Sequence, residues 1–311
     1  MSADPSVLQE YRGSAALQRD QILYGAVHLS VTQIERSLAF WRELIGLVQL
    51  PSPEGAVRLG VEGRALVVLH PDAERVVGRG HAGLYHLAIH LPDDVEFARM
   101  LVRLGKARVP QSPTDHIFSK ATYLHDPDGI MLELTLETPE RLGSAEMGPS
   151  GFVMFDSEGR RRQPTEPLDV AEAIAALAGA ATDGPLAPSS YIGHVHLHVP
   201  DLRSANDFYR DVIGFTDHAF MDSIGMADLS AGGRFPHRLA VNIWNGSAAR
   251  QPPPGTAGLR HFELTLRGEG EMARMARAAA GAGAPFAAHE DGSASVWDPA
   301  GNELLVRPDP V

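Results

Sequence analysis

Residues 25–47 read GAVHLSVTQIERSLAFWRELIGL, and residues 193–215 repeat the pattern as GHVHLHVPDLRSANDFYRDVIGF. In both stretches, alternating apolar residues predict a strand, and apolar residues at i, i+3 and i+4 spacing then predict an amphipathic helix that ends near a glycine. A second pair of similar segments, HDPDGIMLEL from His125 and WDPAGNELLV from Trp297, follows at nearly the same separation. Two ordered features repeated at one spacing indicate that the chain consists of two related halves.

Each half divides once more into two modules. GLYHLAIHLPDDVEFARMLVRLG from Gly83 and GLRHFELTLRGEGEMARMARAAAG from Gly258 also read as strand, turn and helix. Two or three short strands, separated by Gly, Pro and Asp, are predicted to follow each helix. The predicted organisation is an arm at 1–20, a first domain at 21–138 with modules 21–80 and 81–138, a linker at 139–187 with one short helix, and a second domain at 188–311 with modules 188–254 and 256–311.

The fold class expected from this organisation is α+β, with four modules of the form βαβββ. One such module cannot bury its sheet alone, so two modules must pair. Pairing would curve the joined sheets into a half-open barrel, and four modules would give two such barrels.

Composition limits what the chain can do. Its 311 residues carry a formal net charge of −12, which argues against nucleic acid or an anionic membrane as the main partner. There is no cysteine, so disulfides, thiolate catalysis, thiolate zinc sites and iron–sulfur clusters are excluded. The 14 histidines can supply nitrogen ligands to a metal. No apolar run is long enough for a membrane span and the first 20 residues have no apolar signal core, so we expect a cytoplasmic protein.

Histidines recur on the predicted inner faces of the modules. Those that share a face are His194, His196 and His198 on the first strand of the third module, and His86 and His90 on the first strand of the second module. Glu133 lies in the last predicted strand of the second module. Two imidazoles and one carboxylate on adjacent strands form the facial triad that suits Fe(II) or Mn(II), with positions left open for substrate and O₂.

The chain resembles the vicinal oxygen chelate superfamily. The resemblance rests on the four modules, the strand GHVHLHV from Gly193, the ending DPDGIMLE from Asp126 and the segment SAGGRFPHRLAVNIWNG from Ser230. It covers residues 21–311 and is strongest towards two-domain ring-cleaving enzymes of the catechol 2,3-dioxygenase (extradiol) type. It implies a non-haem Fe(II) centre, with Mn(II) as an alternative, held by a His that opens one module and by a His and a Glu of its partner module.

The implied ligand set can be tried on each pairing of modules. Modules three and four lack the carboxylate, because Leu305 occupies its position, and modules one and two lack the first His, because Ala26 occupies its position. Modules two and three supply the whole set, which would be His86, His194 and Glu133. This favours pairing of two with three and of one with four, while sequential pairing stays open at this stage.

The resemblance also implies residues that act on the substrate. Tyr123 and His116 would hydrogen-bond to oxygens of the substrate or of an intermediate, and His237 would steady bound oxygen and donate a proton. His196 and His198 stay alternatives to His194 as the metal ligand, since they share its face.

The implied activity is cleavage of a catechol- or hydroquinone-like ring by O₂, beside the diol. Two alternatives stay open, namely a glyoxalase-like metal-dependent lyase or isomerase, and a metal-free protein that binds aromatic ligands or antibiotics. The lyase chemistry usually needs a second carboxylate ligand, and the metal-free protein would leave buried His and Glu unpaired. The sequence also leaves open whether the chain forms a homo-oligomer.

Overall fold

The computed structural model of the chain describes residues 20–148 and 151–309. All of the predicted arm at 1–20 except Asp20 therefore lies outside the described residues. Within the described part of the chain, no helix combines the length and the apolar composition that crossing a bilayer requires.

Within the described residues, each predicted module contributes four strands. The strands of the modules are β1 (Ile22–Ser30), β2 (Val48–Leu50), β3 (Val57–Val61), β4 (Arg64–His70), β5 (Gly83–Leu91), β6 (Ser112–Asp115), β7 (Ser119–His125), β8 (Met131–Glu137), β13 (Tyr191–His198), β14 (Thr216–Met221), β15 (Met226–Ser230), β16 (Leu239–Asn242), β17 (Gly258–Leu266), β18 (Phe286–Ala288), β19 (Ala294–Trp297) and β20 (Glu303–Pro308). The linker between them contributes β9 (Leu142–Gly148), β10 (Gly151–Asp156), β11 (Arg161–Arg162) and β12 (Glu166–Pro167).

One helix follows the first strand of each module, which confirms the predicted α+β class. The helices are α1 (Ile34–Leu38), α2 (Asp94–Lys106), α3 (Val170–Ala175) in the linker, α4 (Leu202–Asp207) and α5 (Glu271–Ala282), with single 3₁₀ turns at Pro139–Arg141 and Asp222–Ile224. α1 continues as a π-helix over Ala39–Leu44, and α4 continues as one over Phe208–Ile213. The same irregularity at the same place in both repeats supports the division of the chain into two related halves.

Local sequence explains where these helices begin and end. The carboxylate of Asp93 accepts a hydrogen bond from the backbone N–H of Glu96 at 2.8 Å, and Asp201 accepts one from that of Ser204 at 2.7 Å. Both are N-caps, which satisfy backbone donors that the first helical turn leaves free. The π-helical end of α4 stops at Gly214, whose φ of 108° is a left-handed conformation that glycine adopts without strain.

The strands form two main sheets, and each sheet joins modules from different halves of the chain. The first sheet has the order β18-β19-β20-β17-β1-β4-β3-β2, and the second has the order β12-β6-β7-β8-β5-β13-β16-β15-β14. The modules meet at the antiparallel pairs β1–β17 and β5–β13. Modules two and three therefore share one sheet and modules one and four share the other, which confirms the favoured pairing. Each sheet takes strands from both predicted domains, 21–138 and 188–311, and the division into these domains stays a prediction.

The predicted linker at 139–187 holds more regular structure than its sequence indicates. β9, β10 and β11 form a small antiparallel sheet, and α3 lies where the short helix is predicted and packs against α2. β12 extends the second sheet by pairing with β6. β12 is short and its partner β6 lies far away in the chain, so the local pattern does not reveal this pairing.

Apolar side chains pack between the sheets and the helices. Trp41, in the π-helical end of α1, and Phe97, in α2, are buried in this core. Along β5, Leu87 and Ile89 join the same core. Because successive side chains of a strand point to opposite faces, His86 and the residues that alternate with it face the other side of the second sheet.

Candidate metal centre

Three neighbouring strands at the centre of the second sheet carry the predicted ligands. Ala88 on β5 pairs with His194 on β13 and with Glu133 on β8, so these residues form one row across the sheet. His86 lies two residues before Ala88 on β5 and points to the same face. Because the side chain of Ala88 is small, the longer side chains around it can meet above it.

The predicted ligand atoms converge on one point. Nε2 of His86 lies 3.0 Å from Oε2 of Glu133, and Nε2 of His194 lies 2.9 Å from the same oxygen. The two Nε2 atoms lie 3.1 Å apart. All three side chains are buried. The structure therefore brings His86, His194 and Glu133 together in one cluster that is shielded from bulk water.

The protonation states of these three side chains suit the binding of a cation. Burial lowers the pKa of His86 and the pKa of His194, which keeps both rings neutral. Burial opposes ionisation of Glu133, but contact with the two imidazoles outweighs it and holds the pKa of this carboxyl well below its ordinary value. Nδ1 of His90 lies 2.8 Å from Oε1 of Glu137 and donates to this carboxylate, so Nε2 of His90 accepts from Nδ1 of His194 at 2.8 Å. Nε2 of His194 and Oε2 of Glu133 then face each other with lone pairs, which a cation between them would stabilise.

The carboxylate of Glu133 is oriented by a neighbour on its own strand. Oγ1 of Thr135 donates a hydrogen bond to Oε1 of Glu133 at 2.8 Å, while Oε2 faces the histidines. Such a contact to the outer oxygen fixes the direction of the inner one. Thr135 follows Glu133 by two residues, and residues at this spacing on a strand lie on the same face. The sequence pattern could therefore have identified Thr135 as a neighbour of Glu133.

Tyr123 and His116 lie together beside the cluster. Tyr123 on β7 pairs with Glu133, and its ring centroid lies 5.5 Å from that of His86. Its hydroxyl donates a hydrogen bond to Nε2 of His116 at 2.9 Å, and Nδ1 of His116 donates one to the backbone oxygen of Pro164 at 2.8 Å. Burial and the charge of Glu133 raise the pKa of Tyr123 well above its ordinary value, so the phenol keeps its proton.

His237 lies on the other side of the cluster, where the chain enters β16. Its ring centroid is 4.4 Å from that of His194, and its Nδ1 is 2.6 Å from Oδ1 of Asp228 on β15. Burial opposes a charge on His237, but the carboxylate of Asp228 outweighs it and raises the pKa of His237. His86, His194 and His237 each offer one nitrogen to a set in which all atoms lie within 4.8 Å of one another. His237 can therefore hold a proton beside the ligands or serve as a ligand itself.

The other inner-face histidines of β13 are bound to an amide. Nε2 of His196 accepts a hydrogen bond from Nδ2 of Asn242 at 2.8 Å, and Nδ1 of His198 donates one to Oδ1 of Asn242 at 2.7 Å. Of the three alternating histidines, it is His194 that contacts Glu133. This favours His194 over the two alternatives.

The first sheet has related histidines in a different arrangement. Ala26 and Leu305 occupy the positions where a ligand His and a ligand Glu would lie. The ring of His28 stacks on that of His261 with centroids 4.0 Å apart, and Nδ1 of His28 lies 3.0 Å from Nε2 of His70. Among the residues that the structure describes, the converging set of three ligand nitrogens belongs to the second sheet.

A cleft of about 490 Å³ lies beside Tyr85, and none of the three predicted ligands lines its wall. Its wall includes Tyr85, His198 and Trp244. The ring centroid of Tyr85 lies 4.9 Å from that of His86 and 4.8 Å from that of His196, so Tyr85 touches both the cleft and the cluster. A cleft of this size is in the range that holds small organic ligands.

Known proteins are similar to this chain in sequence and in fold. Residues 22–134 match the model of the Glyoxalase/Bleomycin resistance protein/Dioxygenase superfamily. A catechol-2,3-dioxygenase from Bacillus subtilis (strain 168) is 33% identical over 251 residues, which is 80% of this chain and 84% of that protein.

Solved structures agree with these sequence matches. Glyoxalase I from Zea mays has a TM-score of 0.57 at 15% identity, and 93% of each chain is covered. The cppA protein from Streptococcus pneumoniae TIGR4 has a TM-score of 0.50 at 12% identity, covering 93% of this chain and 97% of that one. Likeness at such identity shows the fold, and the sequence relative shows the family. The predicted resemblance is confirmed, and this chain belongs to the glyoxalase/bleomycin resistance protein/dioxygenase superfamily.

Proposed function

We propose that this protein is a non-haem Fe(II)-dependent extradiol dioxygenase that cleaves a catechol- or hydroquinone-like ring with O₂, with Mn(II) as the alternative metal. One observation carries the proposal: Nε2 of His86, Nε2 of His194 and Oε2 of Glu133 lie 2.9–3.1 Å from one another. Three protein ligands on one side of a six-coordinate metal leave room for both oxygens of a diol and for O₂. The 33% identity to a catechol-2,3-dioxygenase supports this chemistry.

Each residue around the ligands has a role that follows from its contacts. Bound Fe(II) would pass electron density from the diol to O₂. Nδ1 of His237 donates to Asp228, which would allow the ring to carry a further proton on Nε2 and to give that proton to a substrate oxygen during cleavage. Tyr123 would donate a hydrogen bond to a substrate oxygen, and His116 would orient the phenol by accepting from it in the absence of substrate.

The make-up of the cluster also supports a dioxygenase over the two alternative functions. His237 offers a nitrogen that lies within 4.8 Å of the ligand nitrogens of His86 and His194. The lyase chemistry of this fold usually needs a second carboxylate instead of a third histidine. A metal-free binding protein would keep lone pairs of His194 and Glu133 facing each other in a buried site, which is costly without a cation.

The direct test is oxygen consumption by the metal-loaded protein. The full chain is loaded with Fe(II) or Mn(II) without air, and a panel of catechols and hydroquinones is added with a known amount of O₂. We expect one O₂ consumed per substrate and a yellow ring-fission product. No oxygen uptake with any diol of the panel would refute the dioxygenase proposal, and metal-dependent isomerisation of a hemithioacetal without O₂ would establish the lyase instead.

The ligand assignment has its own test. Glu133→Gln should lose iron and activity together, because the amide removes the negative charge that faces the metal. Glu172→Gln makes the same replacement at an exposed glutamate of α3 and is the matched control. It should keep its iron and its activity. A Glu133→Gln protein with a full complement of iron would overturn the assignment.

A further inference from the structure

A buried chain of hydrogen bonds leads away from His194, on the side opposite to the ligand cluster. Nδ1 of His194 is 2.8 Å from Nε2 of His90, and Nδ1 of His90 is 2.8 Å from Oε1 of Glu137. His90 has no exposed surface and Glu137 is nearly buried. Neither residue has a role in the proposed reaction, yet both occupy the centre of the sheet.

The chain of bonds fixes where each proton lies. Oε1 of Glu137 also accepts hydrogen bonds from Nη1 of Arg238 and from the hydroxyl of Tyr191, both at 2.6 Å. An oxygen with these donors around it is a carboxylate, so Nδ1 of His90 donates to it. Nε2 of His90 is then an acceptor, and His194 must donate to it through Nδ1. The lone pair of His194 is thereby left on Nε2, the atom that faces Glu133.

The far end of the chain of bonds is held rigidly. Arg238 is buried, and its Nε donates a hydrogen bond to Oδ2 of Asp20 at 2.7 Å. Its Nη1 also lies 3.3 Å from the backbone oxygen of Gly193. Glu137 is thus fixed by a buried cation that is itself fixed at two further points. A carboxylate held in this way can orient the ring that donates to it.

The backbone makes room for His90 at one residue. The register between β13 and β5 shifts between Ile192 and His194, so Gly193 is the extra residue of a β-bulge. A Cβ on residue 193 would lie 2.1 Å from Cδ2 of the His90 ring. Gly25, at the matching position of the first half, makes room in the same way for Glu263, with 2.6 Å from a built Cβ to Oε2. The glycine that opens each repeat therefore admits a side chain of the partner strand.

We propose that His90 is a positioning residue for the metal. Together with Glu137 it holds His194 in the tautomer whose Nε2 carries a lone pair, and it fixes the direction of the ring. It also makes Nε2 of His194 a stronger electron-pair donor to the metal. Contacts of this kind to a ligand histidine typically change metal affinity by roughly 10- to 100-fold. The inference depends on the proposed metal centre, and its test is chosen so that the two can fail separately.

The experiment measures metal binding by the full chain, with Zn(II) and Co(II) as probes in competition with a chelator. His90→Leu removes both hydrogen bonds and should weaken binding by roughly 10- to 100-fold. His90→Gln can still accept from His194 through its oxygen and donate to Glu137 through its amide, so it should recover most of the loss. His28→Leu removes an inner-face histidine of the first sheet and is the matched control, with unchanged affinity expected.

A spectroscopic reading separates positioning from general destabilisation. In ¹⁵N-histidine spectra of the Zn(II)-loaded protein, His194 should be protonated at Nδ1 and metal-bound at Nε2. His90→Leu should weaken or shift the Nδ1–H signal, while His90→Gln should retain it. If His90→Leu does not fold, Glu137→Gln takes its place, since it keeps the shape and removes the charge; it should weaken binding in the same direction.

The outcomes are distinct. Affinity within threefold of wild type in both His90→Leu and Glu137→Gln, with an unchanged His194 signal, would overturn the inference, as would equal loss in His90→Leu and His90→Gln. His194→Ala reports on the metal centre itself. If that variant binds metal as wild type does, the metal centre is wrong and the inference falls with it; if it loses the metal, the His90 variants decide the inference alone.

Discussion

Replacement of Gly193 by alanine should force His90 out of place. A Cβ on residue 193 would lie 2.1 Å from Cδ2 of His90, 2.2 Å from Cγ and 2.4 Å from Nδ1. Non-bonded carbons in contact stay about 3.5–4.0 Å apart, so the ring must move by more than about 1 Å. Little space is left for that movement, because ring centroids of Phe235 and Tyr191 lie 5.2 and 5.3 Å from that of His90.

The cost of the movement follows from the two hydrogen bonds of His90, which both measure 2.8 Å. A shift of that size breaks at least one of them. Overpacking of a core costs about 1–3 kcal/mol, and a buried polar group without its partner costs about 1–3 kcal/mol. We therefore expect Gly193→Ala to lower the free energy of unfolding of the metal-free protein by about 2–6 kcal/mol, and to weaken Zn(II) binding as His90→Leu does.

Urea unfolding in the presence of a chelator measures the first quantity, and a double-mutant cycle tests its cause. In a His90→Ala background the ring that the new Cβ would meet is gone. Adding Gly193→Ala to that variant should therefore lower the free energy of unfolding by less than about 0.5 kcal/mol. Gly105→Ala is the control, since a Cβ there meets no atom within 4 Å and α2 gains a better helix former. An unfolding free energy of Gly193→Ala within about 0.5 kcal/mol of wild type, or an equal cost with and without His90, would refute the steric reasoning.

Three further outcomes are expected. Tyr123→Phe should keep its iron and lower kcat/KM by roughly 10- to 100-fold, because it loses one hydrogen bond to the reacting oxygens; oxygen uptake with iron analysis measures both, and loss of iron would contradict the assigned role. His237→Phe should also keep its iron while losing ring cleavage, and an iron-free His237→Phe protein would make His237 a ligand. Burial opposes ionisation of Glu263, but His28 and the N–H of Ala26 outweigh it and lower the pKa of Glu263 to about 2 from 4.5. Because the folded pKa is the lower one, Glu263 stabilises the fold above pH 4.5 and loses this effect as the pH falls towards 2. The stability advantage of wild type over Glu263→Gln, measured by urea unfolding, should shrink over that interval, and a constant difference would argue against these two contacts of Glu263.

The ligand cluster could be predicted because repetition gives every histidine a position relative to the start of its module. With Ala26 and Leu305 at two of the ligand positions, the set His86, His194 and Glu133 requires modules two and three to share a sheet. The sheet order has that pairing. The ligand positions that the resemblance implies thus predicted the pairing of the modules, since a metal needs its ligands at one point.

The contacts around the ligands could not be predicted in the same way, because they depend on register and on bulges. Asp228 reaches His237 through the pairing of β15 with β16 and a turn between them, and no spacing in the sequence connects the two. His90 was visible as a residue on the same face as His86. Its contact with His194 depends on the bulge at Gly193, which shifts the register of β13 against β5.

The strands within the linker are the other part that the sequence did not predict. Pro164 accepts a hydrogen bond from His116, and this contact exists because the short strand β12 pairs with β6. The pairing joins segments that are far apart in the chain and that have no strong strand pattern of their own. Non-local pairs of this kind decide the surroundings of an active site without any local signal.

The pairing of modules also sets an order for folding during synthesis. Along the chain, β5 and β13, which join the modules of the second sheet, both lie between β1 and β17, which join those of the first. The second sheet has all its strands once Asn242 has been made. The sheet that carries the candidate metal centre can therefore form before β17 has left the ribosome. Until β17 arrives, β1 presents an unpaired edge, which is the feature through which nascent chains pair wrongly with one another. The sheet with the candidate metal centre can then form first, while the edge of β1 in the other sheet stays open to mispairing until β17 is made.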